Sequence, residues 1–341
     1  MSRIISGNYR SLPPLYNKND VWYFPMESLI LPDLPKPEVD RSIQTYSSSA
    51  EDRGFTHTGQ SGNMTWIIQC SGHGNDQYIN WLRKEVDWKS VAEHVNPVQH
   101  LQALYKSSAI YRRSVDALES GASFAMARIL ETPETRECLV ECTSIGDSSI
   151  LVFVNGGLMY MNRGHTAENP DEIERLSSMS QKRQIHYRVQ QTTTPKVLSS
   201  TEITTVPSFQ TQFQCKVDGQ WNIVSLAQTQ ALGHLGVTGI KPEKHLEHCY
   251  KGDKIRVVVG SKGLMQMLSA SMDNLGYFTA EELGLLATER WEQKWSFVHS
   301  KFRVVLKKDI SLEPRTNDIS LALWENGEGS ENDEALKKEN L

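Results

Sequence analysis

The chain has 341 residues, of which 38% are apolar, 23% charged and 8% aromatic. That is enough for one large globular domain or two small ones, and it excludes collagen, a coiled coil and wholesale disorder. The formal charge is −5, from 36 Lys and Arg against 41 Asp and Glu, and residues 325–341 alone hold six acids and two lysines. The remaining body is close to neutral, which argues against nucleic-acid binding through neutralised phosphates. No apolar run approaches the roughly 18 to 20 residues of a membrane span, and the N-terminus has no signal-peptide core, so an intracellular chain without membrane insertion is expected.

Residues 1–45 carry six of the thirteen prolines beside Tyr9, Tyr16, Trp22, Tyr23 and Phe24. Proline forbids helix interiors, so an extended arm is expected here, either packed over the domain or docked into a partner through Tyr16, Trp22, Tyr23 and Phe24. The run 64–70 reads as a buried strand, turned by Ser71-Gly72-His73-Gly74 into a helix. Asn75 is its candidate N-cap, and Ile79, Leu82 and Val86 form its apolar stripe. A second helix is expected over 98–119, ending at Gly121.

Four strands follow at 123–130, 137–144, 149–154 and 158–161. Asn155-Gly156-Gly157 is a hairpin signal between the last two, because Asn and Gly tolerate the positive φ of tight turns. Residues 177–212 are rich in Ser, Thr and Gln without apolar periodicity and read as a flap or flexible insertion. Phe213, Cys215 and Val217 then alternate before the turn Asp218-Gly219. A strand at 254–260 runs into Ser261-Lys262-Gly263-Leu264, where the spacing becomes helical. Thr279 and Glu282 form a capping box for a further helix, strands are expected at 302–306 and 319–324, and 325–341 is expected to be an acidic disordered tail. Short loops and many strands imply an α+β architecture of two stacked antiparallel sheets flanked by helices.

The five cysteines, Cys70, Cys138, Cys142, Cys215 and Cys249, lack CxxC spacing and fit a reducing compartment. His245, His248 and Cys249 lie close in sequence, but one such cluster without a second half reads as ordinary surface and core residues. Ser123, Ser148 and Ser261 have no nucleophile elbow, and the 236–239 stretch does not match a phosphate loop.

Eight motifs in order carry a family resemblance. Ala50-Glu51-Asp52-Arg53 looks like MED(R), Ser71-Gly72-His73-Gly74-Asn75 like DGHGG, Ser120-Gly121-Ala122-Ser123 like SGST, and Gly146-Asp147-Ser148-Ser149 like GDSR. Arg163-Gly164-His165-Thr166 with Asn169-Pro170-Asp171-Glu172-Ile173-Glu174-Arg175-Leu176 looks like DH…NPxExxRI. LAQTQALG at 226–233 looks like LAxSRALGD, VGSKGL at 259–264 like SDGLWD, and Asn317-Asp318-Ile319-Ser320-Leu321 like DNITV. Over residues 46–324 the chain thus resembles the metal-dependent Ser/Thr protein phosphatases, the PPM or 2C-type family. The resemblance implies a β-sandwich flanked by pairs of helices. It also implies a pair of Mg²⁺ or Mn²⁺ ions, held by carboxylates, that activate a water against phosphoserine or phosphothreonine.

Carried over residue by residue, most of that site is replaced. The bridging aspartate of DGHGG is Ser71, the aspartate of SDG is Lys262, the aspartate of DN is Asn317, and the phosphate-binding arginine is Ser47, with Arg41 and Arg53 nearby. The arginine and aspartate of SRALGD are Gln230 and His234. Neighbours in a strand point to opposite faces, so Asp318 is not expected to stand in for Asn317. Glu51, Asp52, Gly72, His73 and Asp147 are retained. The resemblance therefore implies a pseudophosphatase, a binding, scaffolding or regulatory module with no catalytic residue and no metal, in which Lys262 pairs with Asp52 or Asp147 in place of metal charge. Its partner would be a protein: a kinase, a phosphoprotein or a large assembly. Two alternatives stand beside it. One is an active phosphatase with a single Mg or Mn ion on Glu51, Asp52, Asp147 and Asp318; the other is a structural component of an assembly anchored by the arm.

Overall fold

The computed structural model describes residues 42–48, 53–112, 114–132, 135, 137–183, 185–268, 275–301, 304–312 and 318–326. Tyr16, Trp22, Tyr23, Phe24, Arg41, Glu51, Asp52 and Asn317, together with the tail from residue 327, lie outside them. The architecture is α+β, with antiparallel sheets sandwiched between helices.

One sheet has the order β1-β16-β13-β6-β7, formed by Ser42–Ser48, Ile319–Glu325, Ile255–Gly260, Ser149–Val154 and Gly157–Met161. The second has the order β12-β5-β4-β3-β2, formed by Glu243–Cys249, Glu137–Ile145, Ser120–Thr132, Met64–Gly74 and Gly54–Ser61, with the short β11 (Leu232–Gly233) pairing β4. Their facing surfaces interdigitate: Ile67, Ala127, Ile129 and Val140 of the second sheet meet Ile150, Val152, Val257 and Trp324 of the first in one buried cluster. The central strand β13 is buried on both faces, which is why, Arg256 apart, it reads as a continuous apolar run rather than alternating, whereas the edge strands β1, β7 and β12 keep exposed positions.

The outer faces are covered by helices. Trp66, Ile68 and Phe124 pack against Tyr78, Leu82, Val91 and Leu101, from α1 (Gln77–Lys84), α2 (Trp88–Glu93) and α3 (Pro97–Ser107). On the far side Leu151, Val258 and Leu321 pack against α6 (Lys262–Leu268) and α7 (Ala280–Glu292), through Leu264, Met267, Leu283 and Trp291. Burying one such large apolar side chain contributes roughly 1.5–3 kcal/mol, so these layers dominate stability. The capping box of α7 forms as its sequence implies, with Thr279 accepting from Glu282 N. Both hairpin signals are realised, with φ of 53° and 79° at Asn155 and Gly156 and 50° and 84° at Asp218 and Gly219.

Several expectations are corrected. Residues 42–45 are not part of an arm, because they pair with β16 as β1. The helix expected over 98–119 is two: α3 stops where Ser107 and Ser108 donate back to Leu104 O and Tyr105 O, and α4 (Val115–Leu118) restarts under the Ser114 cap. The N-cap of α1 is Asp76, not Asn75, whose side chain instead accepts from Gln77 N.

The stretch 177–212, read from the sequence as a flap or flexible insertion, is built of regular elements. It holds the end of α5 (Pro170–Arg183), β8 (His186–Val197) and much of β9 (Glu202–Val217). These strands belong to a third sheet of order β10-β9-β14-β15, formed with Gln220–Leu226, Lys294–Lys301 and Val304–Ser311, in which β8 also pairs β9. Strands whose faces are both largely polar carry no period-two hydropathy, so Thr and Gln conceal them. His245, His248 and Cys249 share β12, where alternation puts His248 on the face opposite the other two. His245 stacks on Tyr160 at 3.9 Å and pairs with Glu247 at 2.9 Å. Among the described residues no helix is long and apolar enough to cross a membrane.

Candidate functional site

The strand ends of both sheets meet at one cleft of about 420 Å³, lined by Ser71, His73, Asp147, Gln228, Lys262 and Asp318 among others. Asp147 is carried by the β5–β6 turn. Gly146 adopts φ +90°, and Asn162 ties the turn down by accepting from Ile150 N at 2.7 Å and donating to Ser148 O at 2.9 Å. Lys262 opens α6. Ser261 holds that helix start against β16, because its hydroxyl donates to Asp318 O at 2.8 Å and accepts from Leu264 N at 3.3 Å.

The Lys262 ammonium lies 3.1 Å from Asp147 Oδ2, while Ser123 donates to Asp147 Oδ1 at 2.7 Å. Burial pushes the Asp147 carboxyl up, but Lys262 and Ser123 outweigh it and hold its pKa below the usual carboxylate value. Asp147 is therefore an ionised, fully partnered carboxylate.

Asp318 reaches the same cleft, contrary to the expectation from strand alternation. It precedes β16, so the alternation of a strand does not govern it. Ser71 donates to Asp318 Oδ1 at 2.5 Å and Ser320 donates to Oδ2 at 2.9 Å, with Gln69 donating to Ser320 at 3.1 Å. Burial raises the Asp318 pKa, only partly offset by these two hydroxyls. The backbone approaches closely here: a Cβ on Gly54 would sit 1.9 Å from Asp318 Oδ2. Ser47, exposed on β1 opposite Ser320, does not line the cleft.

A second hydrogen-bond chain forms the other wall. His234 Nδ1 lies 2.7 Å from Leu118 O, a group that only accepts, so this nitrogen carries the proton. His234 Nε2 is then the acceptor for His73 Nδ1–H at 2.8 Å, and His73 Nε2 accepts from the Gln228 amide. Burial pushes both imidazoles down, His73 to about 3 and His234 to about 4, so both are neutral near pH 7. His234 and Leu235 hold φ of 47° and 53°, a left-handed conformation costly for side-chain-bearing residues.

The loop bearing Gln228 is anchored by a buried network. Arg175 bonds Glu172 at 2.9 Å and the carbonyls of Thr229 and Thr238 at 2.8 and 2.9 Å, and Gln230 donates to Glu172 at 2.7 Å. Sequence reading gave Glu172 and Arg175 no role; their i, i+3 spacing on a helix was the available signal. Gly72 lines the cleft, where its N–H donates to Arg53 O at 2.6 Å.

No protein-family profile matches the sequence, and no curated protein sequence does. Among solved structures, a C. elegans sex-determining protein superposes with a TM-score of 0.48 at 13% identity, covering 84% of this chain and 65% of that one. This chain thus spans less than two thirds of that protein's length. A Toxoplasma gondii phosphatase superposes with a TM-score of 0.48 at 11% identity, over 84% of this chain and 94% of the other. A serine/threonine phosphatase of S. agalactiae gives 0.44 at 13% identity, over 83% and 98%.

Proposed function

We propose that this chain is a PPM-type pseudophosphatase, a protein-binding or scaffolding module that performs no metal-dependent dephosphorylation. The observation that carries the reading is the Lys262 ammonium 3.1 Å from Asp147 Oδ2, inside the cleft where the motif resemblance implies divalent cations. The described donors do not fit a pair of such ions. A binuclear centre needs several anionic oxygens free to coordinate. Here Asp147 is taken by Lys262 and Ser123, Asp318 by Ser71 and Ser320, and a cation beside Asp147 would stand against a fixed positive charge. Among the described residues no group of three or more His, Cys, Asp or Glu is placed to hold a metal ion.

What the cleft offers a partner is shape and hydrogen bonding. His73 is neutral and already bonded at both nitrogens, which suits a rigid wall better than proton transfer. The second reading, an active phosphatase with one Mg or Mn ion, is favoured by one observation: Asp318 and Asp147 line the same cleft. Phosphate release from a phosphoserine peptide with and without Mn²⁺ separates the two. The pseudophosphatase reading predicts no Mn²⁺-dependent turnover; turnover that Asp147→Asn abolishes would sink it.

A further inference from the structure

None of the five cysteines is joined in a disulfide. The register of β5 and β12 sets Cys249 directly opposite Cys138, and both side chains are buried in the layer between the two stacked sheets, so they project to the same side of their own sheet. Directly opposed residues of an antiparallel pair have Cα atoms about 4.5–5.5 Å apart. That falls inside the roughly 4.4–6.8 Å that a disulfide spans. The other three cysteines have no such neighbour. Cys142 faces His245 and lies four residues, roughly 13 Å, along the strand from Cys138. Cys70 faces Phe124, and Cys215 faces Asn222 in the third sheet.

The pair also sits at the end of its ladder. Cys249 is the last residue of β12, and the turn that follows carries Tyr250, 68% exposed. Opening the terminal rung frees Cys249 and uncovers one flank of Cys138, which stays paired to Glu131 of β4 on its other side, because ladder ends open at far lower cost than sheet centres.

We propose that Cys138 and Cys249 form a reversible disulfide-forming site whose oxidant is a small-molecule disulfide of the glutathione class. One cysteine loses its proton to solvent and its thiolate attacks the oxidant, forming a protein–oxidant mixed disulfide and expelling one small thiol. The second cysteine, deprotonated in turn, attacks the protein sulfur of that mixed disulfide and expels the second small thiol. Two protein thiols are oxidised by two electrons, and one small disulfide is reduced to two thiols. Burial pushes Cys138 up to about 12 and Cys249 up to about 11. The attacking thiolate is scarce at neutral pH, and the rate rises about tenfold per pH unit. The bond would staple the edge strand β12 to β5.

The test is incubation of the full-length native chain with oxidised glutathione at several pH values, followed by peptide mapping without reduction. A Cys138–Cys249 cross-linked peptide that forms in the native protein, accelerates with pH and disappears in both Cys249→Ala and Cys138→Ala is the predicted result. Partly exposed Cys215 reports by its glutathione adduct that the oxidant was active. Free Cys138 and Cys249 beside a modified Cys215, or a 138–249 bond formed only in urea, would overturn the proposal. Neither outcome bears on phosphatase activity, so this inference and the pseudophosphatase reading fail independently.

Discussion

Lys262 settles the charge balance of the cleft. It replaces an expected carboxylate with an ammonium and supplies the counter-charge for Asp147, a side chain 13% exposed. Replacing Lys262 with methionine keeps the aliphatic stem and strands that carboxylate. Because the lysine is itself 34% exposed, the loss is about 1–3 kcal/mol rather than the full cost of breaking a buried pair. Urea unfolding measures it, and an unchanged midpoint would contradict the pairing. The imidazoles make a second prediction at this scale. His73 and His234 are held at about 3 and about 4, below their ordinary 6.5. Below pH 6.5 the unfolded chain takes up protons that the folded chain refuses, so stability present above that pH is lost as it falls toward 4 and then 3. Each histidine contributes a slope of up to about 1.4 kcal/mol per pH unit. Asp147, with its lowered pKa, adds loss of the same sign below its ordinary 3.8, while Asp318, with its raised pKa, acts in the opposite sense. Stability measured by urea unfolding should climb from pH 4.5 to 6.5, and His234→Gln should flatten the climb.

Elements, rather than single residues, bring these groups together. Asp147 rides on the β5–β6 turn, Lys262 on the first turn of α6, Asp318 on the entry to β16, and Gln228 on a loop that Arg175 clamps to α5. Arg175→Met leaves Glu172, 5% exposed, without its cation, and should cost about 3–5 kcal/mol while detaching the Gln228 loop. Hydrogen exchange would reveal the detachment as faster exchange at 228–239, and unaltered protection there would count against the clamp. Thr279→Ala removes the cap of α7 and should cost about 1 kcal/mol in the same unfolding assay. Elements buried on one or both faces were legible in the sequence because their apolar pattern is imposed by the core, as in β3, β6, β13 and the capped α7. The third sheet was hidden because Thr and Gln line both faces of β8. The break between α3 and α4 was hidden because serine hydroxyls, not glycine or proline, end the helix.

At the scale of the whole molecule, four layers bring the loop ends of two sheets to one edge, and the resulting cleft holds its own ions. Motif order made the position of that cleft legible, together with Ser71, His73, Asp147 and Lys262. The place of Asp318 was not, since it depends on where β16 begins, and neither was the imidazole chain through His234, since it depends on a left-handed backbone at that residue. The two buried carboxylates of the cleft both have internal donors: Lys262 and Ser123 hold Asp147 as an anion, and the hydroxyls of Ser71 and Ser320 partly offset the burial of Asp318. Calorimetric titration of Mn²⁺ into the wild-type chain at neutral pH tests this most directly. The account predicts no saturable binding in the millimolar range. Stoichiometric binding of two ions that Asp147→Asn abolishes would contradict it.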